Sequence, residues 1–154
     1  MSGSVTASGL FVATFVDVLD VTQLAVDLDS ELGKGALFSD SVTPNFTTDT
    51  AYGVSPYDAN EVVDSSGSEW PAGGVALVGT TYTGAAGATK FDATDVAVED
   101  TSLAAAMCYL YYADYLAGKN AICLVDFVTA VTTVAGTIEI LWHTNGIFTK
   151  DLTP

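Results

Sequence analysis

The chain has 154 residues and a formal charge of −15, from 19 Asp and Glu against four lysines (Lys34, Lys90, Lys119, Lys150) and no arginine. A surface of that sign repels phosphate backbones and offers no guanidinium for bidentate contacts, which argues against nucleic acid as a partner. Anionic membranes are disfavoured for the same reason.

Charged residues make up 15% and apolar residues 49% of the chain, against roughly 25% charged in an average soluble domain. Much apolar surface therefore has to be hidden, in a tight core or against another chain. Acid enrichment with few lysines also suits a saline environment, because salt screens the self-repulsion. One domain of this length buries roughly 68–70% of its unfolded surface, enough to fold without a disulfide or a metal. The N-terminus has no basic n-region, and its apolar run is broken by Asp17 and Asp20, so no targeting segment is expected. Nor is a transmembrane helix, since no run of about 18 uncharged apolar residues occurs. Cys108 and Cys123 lack CxxC spacing and a secretory signal, and read as two buried thiols, with a disulfide as the alternative.

In chain order, residues 1–8 read as a flexible N-terminal arm and 9–154 as a single β-rich domain. Residues 9–20, GLFVATFVDVLD, place Phe11, Phe15 and Val18/Leu19 at helical spacing, predicting a short amphipathic helix with a strand as alternative. LAVDLDS alternates like a strand, and ELGKGALFSD reads as a strand interrupted by Gly33 and Gly35. Residues 39–69 are rich in Ser, Thr, Asp, Asn, Pro and Tyr with little periodicity. Such a long irregular connection is expected to be functional or packed on a partner. The stretch GSEWPAGGVALV poses a choice between a phosphate-cradling loop and a connector. No lysine or helix follows Gly73-Gly74, so it reads as a turn that admits the chain into a sheet.

After Gly74 short strands alternate with turn signals: VALVGTTYT, ATKFDATDVAVE, LAAAMCYLYYA, NAICLVDFV, GTIEILWHT and IFTKDL. This spacing predicts a mainly β fold, an antiparallel β-sandwich or barrel-like domain with a short N-terminal helix. Residues 102–116, with their alanines, have a helical alternative, but the neighbouring aromatics favour a strand. Asn145-Gly146 predicts a type I′ hairpin setting Trp142 opposite Thr149 and His143 opposite Phe148. Ile138, Ile140 and Trp142 then share the core side. Residues 107–112 and 122–125 are apolar at both parities. They are expected to be covered on one face by the core and on the other by another subunit.

Chemistry is sparse. His143 is the sole histidine, it stands beside a turn, and no GxSxG elbow accompanies it; one histidine with two distant cysteines lacks zinc-ligand spacing. Asp27, Asp29 and Glu31 alternate, so on a strand they share one face, where a hard cation such as calcium could bridge them. Asp92 and Asp95 form a second acidic cluster with Glu99 and Asp100. Neither follows DxDxDG, and a solvated face or turn caps is the expected reading. Paired carboxylates for glycoside hydrolysis have no specific support. No catalytic, cofactor-binding or metal residues are therefore assigned, and no cofactor is expected.

The order NEV…SGSEWPAGGVAL, TKFDATDV, AAAMCYLYYADYLAGKNAICLVDF and GTIEILWHTNGIFTKDLTP resembles a family of small virion-associated proteins of tailed bacteriophages. Its members look like SGxGYxAGG, FDADDV, an aromatic strand ending in xIDFG, and a closing GTFTIQWNxxGI. The likeness spans the N-terminal segment, DLDSE, SVTPNF and everything from Asn60 onward. The chain departs from it at Trp70-Pro71, where the family has tyrosine, at Thr94 in place of an acid, and after Phe127, where the glycine is missing. The resemblance implies a β-rich structural subunit without an active site. A minor capsid or head-decoration protein on the outer surface of the major capsid protein is expected, with a homo-oligomer, trimer favoured, as its assembly and the virion as its location after assembly in the host cytoplasm. The N-terminal segment and 39–69 are the expected contacts. The alternative is a tail or fibre component touching the host surface, with Tyr109, Tyr111, Tyr112 and Tyr115 stacking on sugars.

Overall fold

The computed structural model describes residues 5–153. Its elements are β1 (Gly9–Leu10), α1 (Val12–Leu19), β2 (Lys34–Phe38), β3 (Glu61–Val62), β4 (Val75–Ala76), β5 (Thr81–Ala85), β6 (Ala88–Asp92), β7 (Val96–Thr101), β8 (Ala106–Tyr112), β9 (Ala121–Val131), β10 (Gly136–Ile140) and β11 (Phe148–Asp151). The fold is mainly β with one short helix near the N-terminus, built from antiparallel sheets in the manner of a sandwich. The central sheet runs β1-β9-β8-β2, and β3 and β4 share the outer edge of β2. Lys34 and Gly35 pair with Ala76 and Val75, while Leu37 and Phe38 pair with Val62 and Glu61. A three-stranded sheet β11-β6-β5 and a two-stranded sheet β10-β7 complete the β structure.

Alternation along β8 divides the core in two. Tyr109 and Tyr111 point into a cluster with Leu37, Trp70, Leu77, Phe91, Ile138 and Ile140. Cys108, Leu110 and Tyr112 point the other way, toward Phe11, Phe38, Val42 and Tyr57. A bulge tunes this division. Tyr111 pairs with Cys123 and Tyr112 with Ala121, so Ile122 is the extra residue and joins Cys123 in the first cluster. The expected second cover, another subunit, is corrected here: both faces are closed by the chain itself. Val5, Phe11 and the 39–69 connection roof the second face, with Val42 and Tyr57 buried and Phe46 and Tyr52 packed against them.

The glycines that looked like interruptions of β2 are what the aromatic strand beside it requires. A Cβ on Gly35 would stand 1.8 Å from Tyr109 Cζ, and one on Gly33 2.2 Å from the Tyr111 hydroxyl. Both rings lie against the β2 backbone, which only glycine permits. Gly74 (φ +73) likewise meets the Gly35 carbonyl oxygen, 1.8 Å from an added Cβ. Its N–H donates to Pro71 O at 2.9 Å, and Trp70 is fully buried. The glycine-rich stretch is thus an anchored connector into β4.

The predicted terminal hairpin is corrected. β10 pairs with β7, and β11 pairs with β6, Phe148 opposite Phe91. At the Asn145-Gly146 step only Gly146 has positive φ, so type I′ geometry is absent. A turn closed by Gly146 N–H on His143 O (2.7 Å) hands the chain from one sheet to another. Tertiary bonds override the turn dipeptide: Trp142 N–H donates to Asp95 Oδ1 at 2.8 Å, its indole N–H to Thr94 O at 3.1 Å, and Ile147 N–H to Phe91 O at 2.8 Å. The alternating LAVDLDS segment forms no strand. Of the arm expected over 1–8, residues 1–4 lie outside the described residues. Val5 is buried and donates its N–H to Asp40 Oδ1 at 3.0 Å, and Ser8 Oγ accepts the Asp126 N–H at 2.9 Å.

Candidate docking surfaces

Helix α1 is anchored on one side and exposed on another. Phe11 at its N-cap position is fully buried, and buried Thr14 donates its hydroxyl to Ala121 O at 2.5 Å, locking the helix to the start of β9. Phe15 packs edge-on against Phe148, centroids 6.2 Å apart. The adjoining side of the helix, turned to solvent, is apolar too. Val12 is 47% exposed, Val16 51%, Leu19 79% and, just past the helix, Val21 96%. Positions 12, 16 and 19 follow the i, i+4, i+7 spacing of one helical face, so they form a ridge. The expected single stripe of Phe11, Phe15 and Val18/Leu19 is therefore split, with Leu19 facing solvent. The ridge forms one wall of a groove of about 540 Å³, with Leu10, Phe15, Asp20 and Lys150 lining the rest.

Lys150 has a distinct position. Lys34 and Lys119 both reach Asp114 (3.0 and 3.8 Å), and Lys90 pairs with Asp92 at 2.9 Å. Lys150 instead lies 5.1 Å from the Phe15 ring centroid, a cation–π placement at the groove's edge. A second groove, about 440 Å³, lies between β9 and β10 and ends at Trp142, His143 and Ile147.

The acidic residues singled out from the sequence are structural fasteners. Asp27 Oδ1 accepts the Asp29 N–H at 3.1 Å, Asp29 Oδ1 accepts the Tyr82 N–H, and Glu31 Oε1 accepts the Gly79 N–H. Asp27 closes a local turn, while Asp29 and Glu31 pin the 24–32 segment to the entry of β5, so the three do not face one point. Asp92 caps Ala93 and pairs with Lys90, which holds its carboxyl below the usual range, while Asp95 is taken by Trp142. Glu99 and Asp100 are exposed. Among the described residues no three His, Cys, Asp or Glu side chains gather as a metal site would need.

Cys108 and Cys123 are free and buried on opposite faces of the central sheet. Burial pushes both thiols up to about 12. His143 is exposed, and its Nδ1 accepts the Asn145 N–H at 3.1 Å. Tyr109, Tyr111 and Tyr112 are fully buried, which removes them as a platform for sugars. Tyr115 uses its hydroxyl on the backbone of Asp27, accepting at 2.6 Å and donating at 3.0 Å.

Fold and surface define an acidic β-sandwich-like module carrying an apolar helical ridge. No helix among the described residues is long and apolar enough to cross a membrane. A scan against protein-family models, a search of curated proteins and a search of solved structures each gave no match to this chain.

Proposed function

We propose that the chain is a non-enzymatic virion structural protein, a capsid decoration or minor capsid subunit. In this reading it binds the outer surface of the major capsid shell of a tailed phage as a homo-oligomer, a trimer being favoured. The observation that carries it is the α1 ridge: Val12, Val16 and Leu19, three exposed aliphatic side chains with exposed Val21 just beyond them, on a protein of charge −15. Self-repulsion keeps such a body dispersed until a shell is ready, and an apolar patch at its surface supplies the contact. The same charge sets the subunit outside the shell, away from packaged DNA. Neither a cofactor, a nucleic acid nor a membrane enters this reading.

Immunogold labelling of purified particles of the encoding phage tests it. Gold over the head is the expected result, and gold at the tail would replace this reading with a tail or fibre role. Particles without label, under denaturation that exposes epitopes, would overturn the virion assignment altogether. The double variant Val16→Asp, Leu19→Asp is expected to lower particle occupancy at least tenfold while the thermal transition is retained.

A further inference from the structure

We propose that the free edge of β10 is a strand-addition site for an extended, basic segment of a partner polypeptide. β10 pairs with β7 alone. Among the described residues, no backbone hydrogen bond leads from residues 136–140 to any segment beyond that pairing. A two-stranded ribbon is marginal by itself and gains from a third strand. The 440 Å³ groove touches Ile138, Glu139, Ile140 and Leu141 in succession. Successive residues of a strand point to opposite faces, so a groove that meets all four runs along the strand's edge.

The far wall is apolar and of one parity: Val125, Phe127 and Val131 of β9. A segment entering here finds main-chain groups on one side and an apolar wall for alternate side chains on the other, the two elements of β-strand addition. Five residues of β10 span about 17 Å, the length of an ordinary strand. No lysine or proline guards this edge; its protection is Glu139 and a register shift between Gly136 and Ile138.

Charge selects the occupant. Glu139 is the acid lining the groove, none of the four lysines lines it, and the chain carries −15 overall. A second copy of this chain would bring Glu139 and a net charge of −15 against its own kind, whereas a segment bearing lysine or arginine on its solvent-facing positions is attracted. The site lies apart from α1, and it stands or falls independently of the virion reading.

Binding of a nine-residue peptide that alternates valine with lysine and threonine, measured by anisotropy at low salt on the full chain, tests the site. The peptide should bind and slow amide exchange within residues 136–141. Its form N-methylated at alternate amides should bind at least tenfold more weakly, and so should a version with glutamate for lysine. In Glu139→Lys, with an unchanged thermal transition, the preference between the two charged peptides should narrow or invert. The proposal is overturned by absence of binding, by equal binding of the N-methylated peptide, or by protection confined to another region. Dimerisation through β10 without peptide would overturn it in favour of a second copy.

Discussion

The two faces of the central sheet are closed by different means. On the Tyr109/Tyr111 face, strands from the smaller sheets supply Phe91, Val96, Ile138 and Ile140, and contact is largely apolar. On the Tyr112 face the cover is irregular chain, and polar bonds hold it. Tyr52 stacks on Tyr112 at 4.4 Å and donates its hydroxyl to Glu61 Oε2 (2.8 Å). Glu61 Oε1 accepts the Gly73 N–H (2.7 Å), and Tyr112 donates to Gly73 O (2.8 Å). Burial, with Glu61 adding to it, pushes the Tyr52 hydroxyl up to about 12. Regular strands satisfy their own backbone and can cover a face by packing alone. A loop has to find partners for its polar groups, and here side chains provide them.

The contrast can be broken most severely at Gly35. Its substitution by valine drives a side chain into the Tyr109 ring and should abolish the cooperative thermal transition, since relief would require moving the β2 backbone. Next in size is Trp70→Ala, which empties a fully buried site behind the connector and should cost about 3–5 kcal/mol in denaturant unfolding. A smaller effect separates the two faces directly. Tyr112→Phe loses the bond to Gly73 O and should destabilise by about 1 kcal/mol, whereas Tyr109→Phe should be neutral or slightly stabilising. The Tyr109 hydroxyl is buried with no hydrogen-bond partner, so its removal leaves nothing unpaired. A larger loss for Tyr109→Phe than for Tyr112→Phe would refute this division.

Acid should act through Asp64, which ties the loop after β3 to the end of β7 beside the Tyr109/Tyr111 cluster. Ser66 and the Ser102 N–H (2.6 Å), in that order, hold its carboxyl below the ordinary value. A carboxyl lowered on folding adds stability that is present above its unfolded pKa, about 3.9, and is lost as pH falls through the folded value. Between pH 5 and pH 2 the melting temperature of the native chain should therefore fall further than that of Asp64→Asn. Parallel slopes would remove Asp64 from the account.

Much of this was legible locally. The six runs after Gly74 fell on β4 to β11, although VALVGTTYT and ATKFDATDVAVE each hold two strands (β4 and β5, β6 and β7) rather than one, and apolar residues at both parities marked β8 and β9 as covered on both faces. What covers the second face was not legible, because Val42, Tyr52 and Tyr57 fall at no regular spacing. The reading of α1 failed in a related way. Phe11 and Phe15 form one helical stripe and Val12, Val16 and Leu19 another, and periodicity cannot rank two apolar faces on an eight-residue helix. The docking ridge had only a compositional trace, the high apolar fraction beside few charges.

By itself the sequence determined the acidic surface, the β-rich run after Gly74 and the turn at Gly73-Gly74, because these follow from charge, side-chain period and backbone freedom. Only the tertiary structure decided that β10 and β11 part at Asn145-Gly146, that the chain roofs its own second face, and that α1 turns valines outward. Each depends on pairing between residues distant in sequence, such as Phe148 with Phe91 or Trp142 with Asp95, and no local propensity encodes which distant partner wins.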